Sequence, residues 1–340
     1  MATIGDVARV AGVSRSTVSH ALSGKRSIST ETKARIAAAI ESLGYTANAG
    51  ARALATSRSN IIGLMVPFIP EEFEPATMQY VLTVAHTARE HGYDVLMVTD
   101  REGVGGIDRI TGSNLVDGVM VLDVRRHDSR IDHLRRAGSP AVLIGVPSDE
   151  PLIDTVDLDF EAAARSLIDH LADLGHRRVL FMTLPEVLFA QDLGYAWRFY
   201  DSALTHARSR GIALIPFAVS SEPNQVGHEL DSALAEHPSA TALLIHNDGA
   251  LVDLPVALEA RGISTPEDLS VVSIFPDQFG RMFRVPYTAV ETSAAAVAER
   301  AVRMLVARIE DRDGPARLEL LAPILVDRGS SGPISGRKSG

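Results

Sequence analysis

A chain of 340 residues, 46% of them hydrophobic, with a mean hydropathy of +0.09, can bury more than one core and is neither fibrous nor disordered in composition. No apolar run approaches the length of a membrane span, and the first twenty residues lack the basic-then-apolar layout of a secretory leader, so the cytoplasm is the expected compartment. The absence of cysteine excludes disulfides and thiolate zinc sites, and the eleven histidines show no metal-binding helical spacing, so neither a metal nor another cofactor is expected.

The net charge of −10 is unevenly spread: residues 1–60 carry eight Lys or Arg against three acids, a net +5, which leaves −15 for the remainder. A basic head on an acidic body suggests that the head alone meets a polyanion, although a solvated charged face would have the same composition.

Taken in chain order, Ile4, Val7, Ala8 and Ala11 share one face of a first helix, with Thr3 placed to cap it and Gly12 to end it. Ser14 then caps a second helix whose inward stripe is Thr17, Val18, Ala21 and Leu22, closed by Gly24. Its outer face carries Arg15, Ser16, Ser19 and His20. A third helix starts at the cap Ser29, turns Ile36, Ala37, Ile40 and Leu43 inward and stops at Gly44. Three short helices with a tight turn between the first two form a helix-turn-helix unit. Because the major groove admits one helix and residues near its start reach base edges, Arg15 can clamp guanine O6 and N7, His20 can donate to a purine N7, and Ser16 can act at close range. Arg9, Lys25, Arg26, Lys33 and Arg35 are expected to neutralise phosphates without selecting a site. The Ala-rich stretch NAGARALATSRSN (48–60) reads either as a conditional helix that inserts Leu54 into the minor groove or as a plain linker.

The segments TIGDVARVAGVSRSTVSHALSG, ISTETKARIAAAIESLGYTANAGARALA and IIGLMVP resemble the start of a bacterial repressor of the LacI/GalR family. By that resemblance Arg15, Ser16 and His20 fall on base-reading positions and Leu54 on the minor-groove wedge. Thr3, Ser14, Thr17, Ser19, Lys25, Arg26, Ser29, Asn48 and Arg52 complete the DNA-facing set. Ala47, where a proline is usual, and Gly50 inside the hinge depart from the family pattern. The resemblance implies a sequence-specific repressor, at least a homodimer with a tetramer left open, bound to a near-palindromic double-stranded operator. A small-molecule effector, a sugar or oligosaccharide by the family default, would modulate it.

From residue 61 the pattern becomes alternating strands and helices. IIGLMV (61–66), DVLMV (94–98), GVMVL (118–122), AVLIG (141–145), TVDL (155–158), RVLFM (178–182), ALLI (242–245) and LSVVSI (269–274) read as strands, with helices such as Met78 to His91 and Glu161 to Leu174 between them. The expected fold is a small all-α helix-turn-helix head plus an α/β body of two doubly wound parallel-sheet lobes with a ligand cleft beyond the strand carboxyl ends. The resemblance adds that the body is periplasmic-binding-protein-like. The expected division is a helix-turn-helix domain at 1–46, a hinge helix and linker at 47–60, and an effector-binding and dimerisation domain at 61–328. Its N-lobe spans about 61–160 plus 290–325, its C-lobe about 161–289, and a disordered tail follows at 329–340.

Catalysis is not expected. GVGGID (103–108) has Asp108 where a dinucleotide fingerprint needs a third glycine, and neither a P-loop nor a GxSxG elbow occurs. For the cleft, Asn247 in HND (246–248) matches the family's ligand-contact pattern. Gln191 stands where the family sets an arginine before Gly194 and Tyr195; Phe275 stands in place of an aspartate, with Asp277 two residues on. These replacements remove a charged clamp and leave Phe189, Trp197 and Phe275 as stacking platforms or ordinary core residues. The same body would suit a solute-binding protein or a sugar-acting enzyme; the basic head argues against the first, and no recognisable acid and base pair supports the second.

Overall fold

The computed structural model describes residues 2–23, 28–45, 58–67, 69, 74–99, 103–149, 152–220, 225–276 and 286–334. In the head, α1 (Ile4–Ala11), α2 (Arg15–Ser23) and α3 (Thr30–Leu43) close over Val7, Ala8, Ala11, Val18, Ile36 and Ala39. Thr3 and Asp6 form a reciprocal capping box on α1, and Gly12 ends it at φ 64°, a left-handed conformation that favours glycine. Ser29 caps α3 by accepting the Thr32 N–H at 3.3 Å. The expected inward Ala37 is instead exposed. Ala39, three residues after Ile36 and therefore on the same helical face, takes its place.

The body contains two six-stranded sheets. The first lobe is built from β1 (Ile61–Val66), α4 (Glu74–Glu90), β2 (Asp94–Thr99), α5 (Gly103–Gly112), β3 (Gly118–Val121), α6 (Ser129–Ala137), β4 (Ala141–Ile144) and β5 (Asp154–Leu158). The glycine-rich GVGGID stretch opens α5. The second lobe follows with α7 (Phe160–Asp173), β6 (Arg178–Thr183), α8 (Glu186–Ala190), α9 (Gly194–Ser209), β7 (Ala213–Ala218), α10 (Gln225–Glu236), β8 (Ala242–Ile245), α11 (Asp248–Glu259), β9 (Ser270–Pro276) and β10 (Thr288–Thr292). The chain then returns to the first lobe with α12 (Ala294–Glu310) and β11 (Leu318–Leu321), and ends with β12 (Ile324–Val326) in the second.

Strand order is β11-β5-β4-β3-β1-β2 in the first sheet and β12-β10-β9-β8-β6-β7 in the second, every pairing parallel except β10 with β12. Helices cover both faces of each sheet, so the central strands are buried without alternation. Pro216 sits in β7 at a sheet edge, where its missing N–H costs no ladder bond.

The chain crosses between lobes after β5, after β10 and between β11 and β12. The expected 290–325 return is accordingly shorter, because β10 pairs with β9 and β12 with β10 in the second sheet. The tail expectation is corrected for residues 329–334. Ser330 is buried, donates to Val271 O at 2.6 Å and accepts the Thr288 N–H at 2.7 Å, while Ile334 N–H reaches Leu174 O at 3.2 Å. These bonds supply the order that a Gly- and Ser-rich composition does not advertise.

Where the linker enters the body, the Asp117 carboxylate accepts the backbone N–H groups of Ser59 at 2.7 Å and Asn60 at 2.8 Å and the Ser59 hydroxyl at 3.0 Å. Asn60 is held there at φ 55°.

Candidate functional site

Two regions gather the sequence-predicted functional residues. On the head, Ser14 caps α2 by accepting the Thr17 N–H at 3.0 Å, and its hydroxyl lies 2.7 Å from that of Ser16 and 2.8 Å from that of Thr17. A compact hydroxyl cluster therefore marks the helix start. Arg15 is exposed and makes no hydrogen bond or ion pair among the described residues, so its planar donor fork is open to an outside acceptor. Ser19 and His20 are half-buried on the same helix. Thr3 and Ser29 cap α1 and α3, so their hydroxyls serve helix ends.

The phosphate-contact expectation is corrected at Arg35. Its guanidinium donates to Ala11 O at 2.6 and 3.1 Å and to Gly12 O at 3.1 Å, tying α3 to the carbonyl end of α1. A guanidinium beside an unsatisfied helix end is drawn by the carbonyls and the dipole. Arg9 pairs with Asp6 at 2.7 Å while remaining largely exposed. Lys25, Arg26, Asn48, Arg52 and Leu54 lie outside the described residues.

The second region is a cleft of about 920 Å³, including its open mouth, between the carboxyl ends of the two sheets. Apolar walls come from Leu122, Ile144, Phe160, Leu188, Ile274 and Phe275, and polar groups from Thr77, Tyr80, Asp123, Asp157, Tyr195, His246, Asp248 and Thr292. Among the described lining residues there are three carboxylates and no lysine or arginine.

Burial dominates the electrostatics. It raises the Asp157 carboxyl above its ordinary value against the opposing pull of Arg198, whose Nη2 donates to Asp157 from the other lobe. It pushes Asp248, half-buried at the start of α11, up to about 7. His246 is packed 4.4 Å from the Phe199 ring centroid and pushed down to about 3, so it is neutral at pH 7. The Tyr80 phenol is raised by burial and then by the charges of Asp157, Asp123 and Asp248.

Of the expected effector residues, two line the cleft. Phe275 lies in its wall, 1% exposed, with the Arg328 guanidinium 5.6 Å from its ring centroid. Asn247 also lines it, but both of its donors are used: Nδ2 donates to Thr183 O at 3.1 Å and Val219 O at 2.9 Å, and Oδ1 accepts the Ala250 N–H at 3.0 Å. The expectation of a ligand contact there is corrected to a structural one, because a buried amide between two carbonyls and a helix start leaves no donor over.

Gln191, Phe189 and Trp197 are corrected as well, since none lines the cleft. Gln191 ends α8, its N–H bonded to Val187 O at 3.1 Å. Phe189 and Trp197 pack edge to face at 5.1 Å, and Arg126 of the first lobe covers the Trp197 ring at 4.3 Å. They belong to an inter-lobe clasp outside the cleft. In it Asp192 accepts from Arg126 Nε at 2.6 Å and lies 3.1 Å from His127 Nδ1; Arg126 N–H reaches Asp192 O at 2.8 Å and Gly194 N–H reaches Val124 O at 2.9 Å. Gly194 permits this approach, because a Cβ there would stand 2.5 Å from Val146 O. Asp277 lies outside the described residues.

Sequence reasoning missed Asp123, Asp157, His246 and Asp248. A signal was available, since each follows or ends a strand on the cleft side, where ligands bind in doubly wound sheets.

Comparison with other proteins matches two stretches of the chain. Residues 3–48 match the family of bacterial regulatory proteins, lacI family, and residues 168–331 match the periplasmic binding protein-like domain. The transcriptional repressor PurR of Mannheimia succiniciproducens is 28% identical over 337 residues, covering 97% of this chain and 98% of that one. A structure of the transcriptional regulator CelR in complex with cellobiose is similar with a TM-score of 0.67 and 25% identity, over 97% of this chain and 100% of the other. The Lac repressor dimer bound to operator and the anti-inducer ONPF superposes with a TM-score of 0.82 at 22% identity, over 97% and 99%. At that identity the last likeness speaks to the fold. No described helix is long and apolar enough to cross a membrane.

Proposed function

The chain belongs to the lacI family of bacterial regulatory proteins, and from that premise we propose how its two regions act: the head reads an operator through Arg15, Ser16 and His20, and occupation of the inter-lobe cleft alters how well it does so. The observation that carries this reading is the unpartnered Arg15 at the start of α2, set in one chain with a two-lobed body whose cleft lies at the strand carboxyl ends. The protein is a DNA-binding transcriptional repressor acting in the cytoplasm.

The effector is an uncharged carbohydrate. CelR supplies the class, through its cellobiose complex. Among the described residues, three carboxylates without a lining lysine or arginine disfavour an anionic sugar phosphate, while carboxylates and phenols accept and share hydroxyl hydrogen bonds. A ligand bound equally by open and closed lobes would shift nothing, so the effector must contact both. Asp123 and Asp157 from the first lobe and Asp248 from the second allow that.

Two heads are needed for a specific affinity, and the exposed apolar side chains Met78 and Leu82 on α4, Met97 on β2, and Val252 and Val256 on α11 support a second copy of this chain as their partner. The test is selection of duplexes by the full-length protein from a random pool, followed by a screen of neutral sugars and sugar phosphates for release. Enrichment of a near-palindromic site and a shift of its affinity by a neutral sugar are expected. A protein that enriches no duplex at low salt overturns the reading.

A further inference from the structure

Glycine is a poor helix residue, lacking side-chain packing and losing the most backbone freedom on ordering, yet Gly5 occupies the first turn of α1. Its φ lies outside the left-handed region and no turn requires it. What its missing side chain provides is space for one neighbour. A Cβ on Gly5 would stand 2.8 Å from Nη2, 2.9 Å from Nε and 3.1 Å from Cζ of Arg15. The guanidinium therefore rests against the α1 backbone in a seat that only glycine leaves vacant. No hydrogen bond or ion pair among the described residues holds it there, so the space over Gly5 is the one feature of its surroundings that admits this placement.

We propose that Gly5 is a specificity-determining position of the head: it seats the Arg15 guanidinium against α1 and so sets the angle at which the fork meets a base pair. The inference rests on the reading of Arg15 as a base contact. A long arginine with free rotamers can serve a phosphate from many angles, whereas two parallel hydrogen bonds to guanine require one orientation. Restricting that side chain before docking reduces the ordering cost of the specific complex and leaves non-specific phosphate attraction untouched. Any side chain at position 5 would displace the far end of a flexible residue, so the fold tolerates the change and only the reader moves.

The test compares duplex selections by the full-length protein, Gly5→Ala and Arg15→Ala, each with thermal unfolding and the salt dependence of binding. Gly5→Ala is expected to unfold at the same temperature or higher, since alanine is the better helix former. Its salt slope should stay unchanged, and about tenfold of its discrimination should be lost at the same base pair that Arg15→Ala relaxes. A Gly5→Ala pool identical to the wild-type pool overturns the inference, as does a change confined to a different base pair. If Arg15→Ala itself keeps the wild-type preference, the base-contact reading fails and the seat has no reader to position.

Discussion

The head face and the cleft solve recognition in opposite ways. On α2 the operative groups come from one continuous stretch, Ser14 to His20, and Arg15 there is exposed and unpartnered. In the cleft they come from α4, β5, α7, α9, α11, β9, β10 and the turns that follow β3 and β8, and are buried or half-buried. Asp157 leans on a guanidinium from the opposite lobe, and His246 is boxed by Phe160, Tyr195 and Phe199. A polyanion brings its own charge, so a head that meets it can leave cations in water. A neutral ligand brings only hydrogen-bonding capacity, so the cleft must hold desolvated polar groups in advance. Stability and function are therefore separable on the head and entangled in the cleft.

That contrast is broken most severely at Arg198. Arg198→Ala leaves the Asp157 carboxyl, which is 3% exposed, without its guanidinium partner and with only the Leu158 N–H bonded to it. A loss of about 3–5 kcal/mol in denaturant unfolding of the body at pH 7 is expected, while the base preference in duplex selection stays unchanged. A loss under about 1 kcal/mol would show the pair to be as inconsequential as a surface one.

Next in size is Arg15→Ala, for which operator affinity should fall by about 1–3 kcal/mol with preference relaxed at one base pair. Thermal unfolding should barely move, because Arg15 is exposed. A uniform weakening on all sequences would reduce Arg15 to a phosphate contact.

The cleft also predicts pH dependence of opposite sign from two neighbours. Asp248, raised to about 7, holds its proton more tightly when folded, so its contribution is fully present near pH 4 and is lost as pH rises through 7. His246, lowered to about 3, contributes above pH 6.5 and loses that stability as pH falls toward 3. Asp248→Asn should therefore gain about 1–2 kcal/mol over the wild type at pH 8, discounted for solvent in the cleft, and nothing at pH 4. A gain that is the same at both values would trace to packing instead of ionisation.

The smallest expected effect sharpens the head itself. Arg35→Ala removes donors from the carbonyl end of α1, which should destabilise the head by about 1 kcal/mol in thermal unfolding. The salt dependence of DNA binding should keep its slope. A slope shallower by about one unit would restore Arg35 as a phosphate contact.

The head was legible because its signals are local. Caps at Thr3, Ser14 and Ser29, terminators at Gly12 and Gly44 and a 3.6-residue stripe act within a few residues, and helix ends, core and outward face follow from them. The parallel strands were legible for a similar reason: central strands buried on both faces read as continuous apolar runs. The edge and return strands β7, β10, β11 and β12 were missed, since ALIPFA contains a proline, TAVET mixes polar with apolar residues, and LELL and ILV are short and half-exposed. Their identity as strands comes from the partner they pair with.

The amino-acid order by itself determined the helix-turn-helix unit, the outward Arg15 and a two-sheet body, because each depends on neighbours within a turn or a strand. Only the tertiary structure decided which side chains share the cleft. Asn247 was withdrawn into a cap, Phe189 and Trp197 went to the Asp192 clasp, and Asp157, 41 residues from Arg198 along the chain, met it across the lobes. Contacts of that kind depend on how two separately folded sheets face each other, and the desolvation that shifts Asp248 and His246 exists only once they do.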